Sequence, residues 1–247
     1  MSVIKNIAAF KNWPTFYAGR YGLLHNEFEI IHRSGIRIMV RPHTDDLRIV
    51  KSNWVTRHYI RDFIPIKKDS IVVDVGAHIG SFTIIAATLA SRVIAYEPVA
   101  SNYEMLTKNV KLNGLQNVSI FEMAVSEVSG FSDIYIYDDA STGTHTLYKT
   151  SNTSLTKRIQ TISLDEIITK ESLPTIDFLK LDCEGAEHEI LKNISQETAI
   201  KIRSIVMETH RINFKSSIDI IARLRELGFE VRVEHGGGYV YARKILQ

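Results

Sequence analysis

The chain has 247 residues, 45% hydrophobic and 23% charged, which excludes wholesale disorder and collagen-like repeats. Thirty Lys and Arg against 28 Asp and Glu leave a formal net charge of +2, so charge alone marks no nucleic-acid binder. The single cysteine, Cys183, excludes an intrachain disulfide framework and any multi-cysteine zinc site.

Near the start, Ile7-Ala8-Ala9-Phe10 is too short for a signal-peptide core. The near-apolar run 82–90 falls far short of the roughly 20 residues that span a bilayer. The expectation is a cytoplasmic chain without a membrane partner. Residues 27–32 and 36–40 are extended runs around Ser34-Gly35 and predict a hairpin. Residues 45–63 predict a helix that Thr44 could cap, with Leu47, Val50, Trp54 and His58 near helical spacing. The texture changes at Pro65-Ile66-Lys67-Lys68-Asp69. A small α+β N-terminal extension, residues 1–66, is expected to precede a main domain, residues 67–247.

After Asp69, strand and helix alternate. Strands are expected at 71–75, 92–96, 117–122, 176–181 and 202–207, and helices at 81–90, 101–112 and 216–227. Asn113-Gly114 and Gly228 supply helix stops. This α/β rhythm predicts a mostly parallel sheet with right-handed crossovers. Residues 229–234 and 238–243 predict a C-terminal antiparallel hairpin at one edge. Between residues 130 and 163 the rhythm fails. Residues 134–137 and 146–148 suggest extra strands, and the polar stretch 138–150 could be a substrate lid.

Ligands of open α/β sheets sit at the carboxyl ends of the strands, near the topological switch point. There the chain reads Val73-Asp74-Val75-Gly76-Ala77-His78-Ile79-Gly80-Ser81. A dinucleotide site wants G-x-G-x-x-G, so that pyrophosphate meets bare backbone. The spacing here is D-x-G-x-x-x-G. Asp74 would repel phosphates and suit a ligand with an ammonium group. Gly76 permits close backbone approach, and Gly80 lets the helix pack near the strand. Glu97, 21 residues after Gly76, can accept both ribose hydroxyl hydrogens, and Pro98 stops the strand. An ammonium and a ribose without pyrophosphate describe S-adenosylmethionine.

With these motifs the chain resembles the class I S-adenosylmethionine-dependent methyltransferases, and within them the FkbM family, over about residues 69–208. The resemblance rests on 74–80, Glu97-Pro98, Asn102, Asn109 with Asn113, and Ala124-Val125 with Gly130. Its most specific stretch is Asp177-Phe178-Leu179-Lys180-Leu181-Asp182-Cys183-Glu184-Gly185-Ala186-Glu187. It implies a Rossmann-like class I methyltransferase sheet, S-adenosylmethionine as donor and usually O-methylation. The family commonly has Asn where this chain has His78. It also implies that Asp182 and Glu184 line the donor pocket, while Lys180, Glu187 and His210 face the reaction centre.

Methylation of an alcohol needs alignment and a base. Strand alternation puts Lys180 and Asp182 on the side of Phe178, with Asp182 at the carboxyl end. Glu208 or His210 falls at the neighbouring strand end. Asp182, Glu187 and His210 are the candidate bases. Met123 and Ala124 are candidates for the adenine pocket. Cys183 reads as a small buried neighbour and His188 as solvated. Asp182, Glu184 and His210 could also gather a magnesium-type ion, but no H-x-x-H or H-E-x-x-H spacing supports a metal.

The expected partner is a small-molecule or glycan acceptor. A tRNA substrate is the alternative. Basic residues crowd the first sixty positions, and Trp13, Tyr17, Tyr21 and Trp54 offer stacking surfaces. Against it, the fourth strand ends in Asp-Cys-Glu-Gly and not in the Asn-Pro-Pro-Tyr type that resembles base N-methylation. A non-catalytic module that keeps the donor fold is a further reading, and an NAD-dependent enzyme is third, disfavoured by the glycine spacing. Oligomeric state is open, since the N-terminal hairpin and helix could cover a sheet edge or a partner.

Overall fold

A computed structural model of the chain describes residues 3–136, 155–183, 185–209, 217–234 and 238–245. Two short helices open it, α1 (Val3–Ala9) and α2 (Trp13–Arg20), with Pro14 at the start of α2 where a missing N–H costs nothing. Strands β1 (Phe28–Ile31) and β2 (Arg37–Val40) form the expected hairpin, with Phe28 opposite Val40.

The single helix expected over 45–63 is broken. Helix α3 (Asp46–Lys51) widens into a π turn, Ser52–Thr56, and Arg57 ends it at φ 55°. The wider turn aims two consecutive side chains at one point. Asn53 Nδ2 donates to Ser81 Oγ at 2.6 Å, and Trp54 Nε1 donates to the Ser81 carbonyl at 2.8 Å. Thr44 accepts from the Asp46 N–H at 3.3 Å, but the residue at the cap position is Asp45, whose side chain makes no capping hydrogen bond.

The main unit follows as β3 (Ile71–Val75), α4 (Ser81–Leu89), β4 (Arg92–Tyr96), α5 (Ala100–Leu112) and β5 (Val118–Phe121). A side sheet comprises β6 (Ala124–Val125), β7 (Gly130–Ile136) and β8 (Leu155–Ile162). Strand β7 pairs with β8, while 146–148 and the stretch 138–150 lie outside the described residues. The chain continues through α6 (Leu164–Lys170), β9 (Phe178–Leu181), α7 (Glu187–Asn193), α8 (Gln196–Lys201) and β10 (Ser204–Glu208). It closes with α9 (Ser217–Glu226), β11 (Phe229–Val233) and β12 (Tyr239–Lys244).

The seven-stranded sheet runs β11-β12-β10-β9-β3-β4-β5. Strands β10, β9, β3, β4 and β5 are parallel, and β12 is antiparallel to both its neighbours. The edge strand is therefore β11, with β12 one place in. Val72, Val73, Ile94, Leu179 and Val206 are fully buried, the signature of a parallel sheet covered on both faces. After β3 the chain lays β4 and β5 on one side, then returns to lay β9 and β10 on the other. The switch point is the carboxyl end of β3.

The N-terminal segment packs on α4 and α5. Phe10, Phe16, Ile30, Ile38 and Trp54 share one cluster with Ile79, Ile84, Ile85 and Met105. Asn109 accepts from the Met39 N–H at 2.7 Å and donates to the Ile79 carbonyl at 2.9 Å. Asn113 accepts from the Arg37 N–H at 2.9 Å. The two asparagines thus clasp β2 to the first strand turn, and the hairpin covers helices α4 and α5, not a sheet edge, one of the two roles left open for it. Among the described residues no helix is long and apolar enough to cross a membrane.

Candidate active site

Strand β3 ends at Val75 and turns through residues 76–80 into α4. Gly76 has φ +74°, and a Cβ there would lie 1.8 Å from the Asp182 carbonyl oxygen. Only glycine lets β3 and β9 end this close together. Gly80 has φ +87°, and its Cβ would lie 2.6 Å from Leu106 Cδ1. Its close partner is α5, which corrects the expected contact with the strand. Between them, His78 has φ 54°. Asn, Asp and His are the non-glycine residues most often found in that left-handed region. The backbone therefore accepts His where the family commonly has Asn.

A cavity of about 290 Å³ lies over these strand ends. Its wall brings together the candidates Gly76, Ala77, His78, Glu97, Pro98, Asn102, Ala124, Lys180 and Asp182. Val99, Val125 and Ile134 make part of the wall apolar. Asp74, Gly80, Met123 and Glu187 are not on the wall. Glu184 and His210 lie outside the described residues.

Asp74 is fully buried. Its Oδ1 is 2.9 Å from Lys180 Nζ, and its Oδ2 accepts the Thr83 hydroxyl at 2.6 Å. Asp74 and Lys180 are register partners on β3 and β9, so their side chains leave the sheet together. The expected partnership of Asp74 with a ligand ammonium is corrected, since Lys180 takes that place. Lys180 Nζ also donates to the carbonyls of Gly76 at 2.8 Å and Val75 at 3.3 Å. Its three protons are thus committed, and it ties the two strand ends together instead of acting as a free catalytic group. Burial works to lower the Lys180 pKa, but the charges of Asp74 and Asp182 outweigh it and raise the pKa.

Glu97 closes β4 and is 4% exposed. Its Oε2 accepts from the His78 N–H at 2.7 Å. Its Oε1 accepts from the Val99 N–H at 3.0 Å and from Asn102 Nδ2 at 3.4 Å. Burial pushes its pKa up to about 7 despite these donors. Two carboxylate oxygens offer about four acceptor positions, so one remains for a ligand.

Asn102 leads to a network that the sequence does not reveal. Arg41 Nη2 donates to Asn102 Oδ1 at 2.8 Å and to Asp46 Oδ1 at 2.8 Å, while Arg41 Nε donates to Asp46 Oδ2 at 2.9 Å. Asp46 Oδ1 is 3.5 Å from His78 Nε2. The N-terminal extension thereby braces both the His78 turn and the start of α5. Burial lowers the His78 pKa to about 4, so the ring is neutral near pH 7.

Across the cavity, Tyr59 Oη lies 2.7 Å from Asp182 Oδ2 and 3.1 Å from Glu208 Oε2. Tyr239 Oη donates to the same Glu208 oxygen at 3.1 Å. Burial, with the charges of Asp182 and Glu208, raises the Tyr59 pKa well above its ordinary value, which keeps the phenol protonated. Its ring packs edge-on against Phe82 at 5.6 Å, and Lys180 Nζ lies 5.2 Å from its centroid. Glu208 was visible as a strand-end acid. Tyr59 and Tyr239 carry no local motif, and Tyr59 falls in the stretch expected to be helical.

Four other expectations change. Glu187 is fully buried, and its Oε1 accepts from the Cys183 N–H at 2.9 Å, so it holds the turn after β9 and does not face the cavity. His188 is buried, not solvated, because it lies on a helix packed into the core. Cys183 is partly exposed and on the cavity wall. Met123 packs against the main core, leaving Ala124 at the cavity. Among the described residues no group of three His, Cys, Asp or Glu side chains is gathered for a metal.

Residues 74–231 match the methyltransferase FkbM domain. The chain belongs to the FkbM methyltransferase family. It is 30% identical over 194 residues to the AMB antimetabolite synthetase AmbE of Pseudomonas aeruginosa, covering 64% of this chain and 9% of that protein. It is 29% identical to the hexuronic acid methyltransferase AglP of Haloferax volcanii, covering 58% of this chain and 57% of that protein. It is 24% identical to the 31-O-demethyl-FK506 methyltransferase FkbM of Streptomyces tacrolimicus, covering 73% and 80%. The chain thus spans a small part of AmbE and little more than half of AglP.

Proposed function

We propose that this chain transfers a methyl group from S-adenosylmethionine to a hydroxyl of a small molecule or glycan. The observation that carries the reading is one cavity with two chemically distinct ends. At one end Glu97 keeps an acceptor position beside the Gly76–Ala77 backbone and an apolar wall. At the other, two carboxylates, Asp182 and Glu208, converge on one phenol proton.

The residues fit the donor. Glu97 would accept a ribose hydroxyl, and Val99, Ala124, Val125 and Ile134 would flank the adenine. When bound, S-adenosylmethionine supplies an electrophilic methyl on a sulfonium cation. Everything else is done by the chain. Lys180 and Gly76 hold the β3 and β9 ends together, which fixes Asp182 beside the turn. Asp182 or Glu208 accepts the proton of the acceptor hydroxyl. Tyr59 and Tyr239 donate to these acids and orient them. Alignment of the acceptor oxygen supplies much of the remaining barrier reduction. Two of the relatives support a hydroxyl or sugar acceptor by name, the hexuronic acid and the 31-O-demethyl-FK506 methyltransferases.

The test uses methyl-labelled donor with a panel of sugars, uronic acids and polyhydroxylated macrocycles, reading the labelled position by NMR. Label on oxygen is expected. Asp182→Asn should lower turnover by about 100-fold, the usual contribution of a positioned base, with product binding kept. Label confined to nitrogen or carbon would contradict the reading.

A further inference from the structure

A second cavity, about 240 Å³, adjoins the first and shares Arg48 with it. Its wall carries four cationic side chains, Arg20, Arg41, Arg48 and Lys51, together with His43 and no carboxylate. Phe16, Phe28 and Leu47 give it an apolar part. Arg41 is held by Asp46, and Arg48 pairs with Asp45 at 3.0 Å on the surface. Among the described residues the side chains of Arg20 and Lys51 have no ion-pair or hydrogen-bond partner. The cleft lies in a basic N-terminal segment. Residues 1–61 contain ten Lys and Arg against four Asp and Glu, in a chain whose net charge is only +2.

We infer that this cleft binds an anionic group, a phosphate or a carboxylate, carried by the methyl acceptor. The assignment to the acceptor rests on the methyltransferase reading. The first cavity ends in two acids, Asp182 and Glu208, which repel an anion. The second offers uncompensated cations just beyond Arg48. An acceptor carrying one anionic group therefore has one favourable orientation, with the anion in the cleft and an uncharged hydroxyl toward the acids. Arg48 is the hinge of that recognition, since it faces both spaces. Unpaired guanidinium and ammonium groups supply charge-assisted hydrogen bonds without first breaking an internal pair. The arrangement sets which hydroxyl is presented as well as which molecules are admitted.

The experiment is an NMR titration of the full chain with sodium phosphate and, separately, sodium acetate, against sodium chloride at matched ionic strength. Backbone signals of residues 19–22 and 43–51 are followed. The double variant Arg20→Gln, Lys51→Gln is run alongside, since neither side chain supports the fold. Saturable shifts confined to the cleft are expected for phosphate, acetate or both, and the stronger of the two names the source. The double variant should weaken the binding by about tenfold, the loss of one or two charge-assisted bonds. Shifts identical to those from chloride would overturn the proposal. So would shifts spread evenly over the exposed arginines Arg33, Arg37 and Arg57, which would indicate a diffuse polyanion surface. Binding of S-adenosylhomocysteine is measured on the same samples. Donor-product binding without cleft shifts overturns the anion site alone. Cleft shifts without donor-product binding overturn the methyltransferase reading, and with it the assignment of the anion to the acceptor.

Discussion

Lys180 Nζ sits 2.9 Å from Asp74 Oδ1, with the two side chains 3% and 0% exposed. Removing one partner strands a buried charge, at a cost of about 3–5 kcal/mol. Asp74→Ala should therefore lower the denaturant midpoint strongly. Lys180→Met should do likewise. The double variant Asp74→Ala, Lys180→Met should be less destabilised than the sum of the two, because neither charge is left alone. Additive losses in equilibrium unfolding would show that the pair does not act as a unit.

The Gly76 turn allows no side chain. Gly76→Ala places a Cβ against the Asp182 carbonyl and demands φ +74° of alanine. The expected result is a protein that folds less stably and loses affinity for S-adenosylhomocysteine more than tenfold. Calorimetry on the folded fraction checks this. Unchanged affinity would mean that the close approach of the two strand ends does not shape the donor site.

Glu97 and His78 oppose each other in pH. The Glu97 pKa is raised to about 7, above its unfolded value, so the folded state binds the extra proton. Its contribution to stability is lost as pH rises through about 4.5 to 7, by on the order of 3 kcal/mol. The His78 pKa is lowered to about 4, so the unfolded state binds the extra proton. Its contribution is gained as pH rises through about 4 to 6.5, by a similar amount. The two nearly cancel in the native chain. Glu97→Gln should leave stability rising with pH across this window. His78→Asn, which suits the left-handed backbone, should leave it falling. Urea midpoints measured from pH 4.5 to 7.5 decide the matter, and parallel slopes for the two variants would refute the assignment.

The same buried carboxyl predicts a proton signature. A ribose hydroxyl donates to the ionised form of Glu97, so product binding should release a proton near pH 6. Calorimetry of S-adenosylhomocysteine binding in buffers of different ionisation enthalpy reads it directly. The release should vanish in Glu97→Gln. A release that persists in that variant would assign the proton to another group.

Much of this fold was legible because its strands are buried on both faces and spaced by helices. Runs such as Ile71–Val75 and Phe178–Leu181 can be little else, and the glycine turn after β3 marks the ligand end. The acids that end strands, Glu97, Asp182 and Glu208, were legible for the same reason. Partnership was not. Asp74 and Lys180 are 106 residues apart, and only the register of β3 with β9 shows that they face one another. Tyr59 reaches Asp182 across 123 positions, after a π turn and a left-handed Arg57 that no periodicity announces. Arg41 and Asp46 brace His78 and Asn102 from a segment that reads as an appendage. Long-range pairs of this kind follow from packing, and a local pattern cannot carry them.

Tyr59 is the member of the site that separates orientation from chemistry. Tyr59→Phe removes the proton shared by Asp182 and Glu208 while keeping the ring against Phe82 and Lys180. The two acids then lose the donor that orients them. Turnover should fall by about tenfold, the loss of one hydrogen bond to a charged group, with KM for the donor nearly unchanged. Turnover equal to that of the native chain would remove Tyr59 from the account.

Donor binding is the central claim, and calorimetric titration of the native chain with S-adenosylhomocysteine, beside NAD, tests it most directly. One saturable site for S-adenosylhomocysteine, none for NAD, and loss of affinity in Glu97→Ala are predicted. A folded chain that binds NAD, or that binds S-adenosylhomocysteine equally well with Glu97→Ala, would contradict the account.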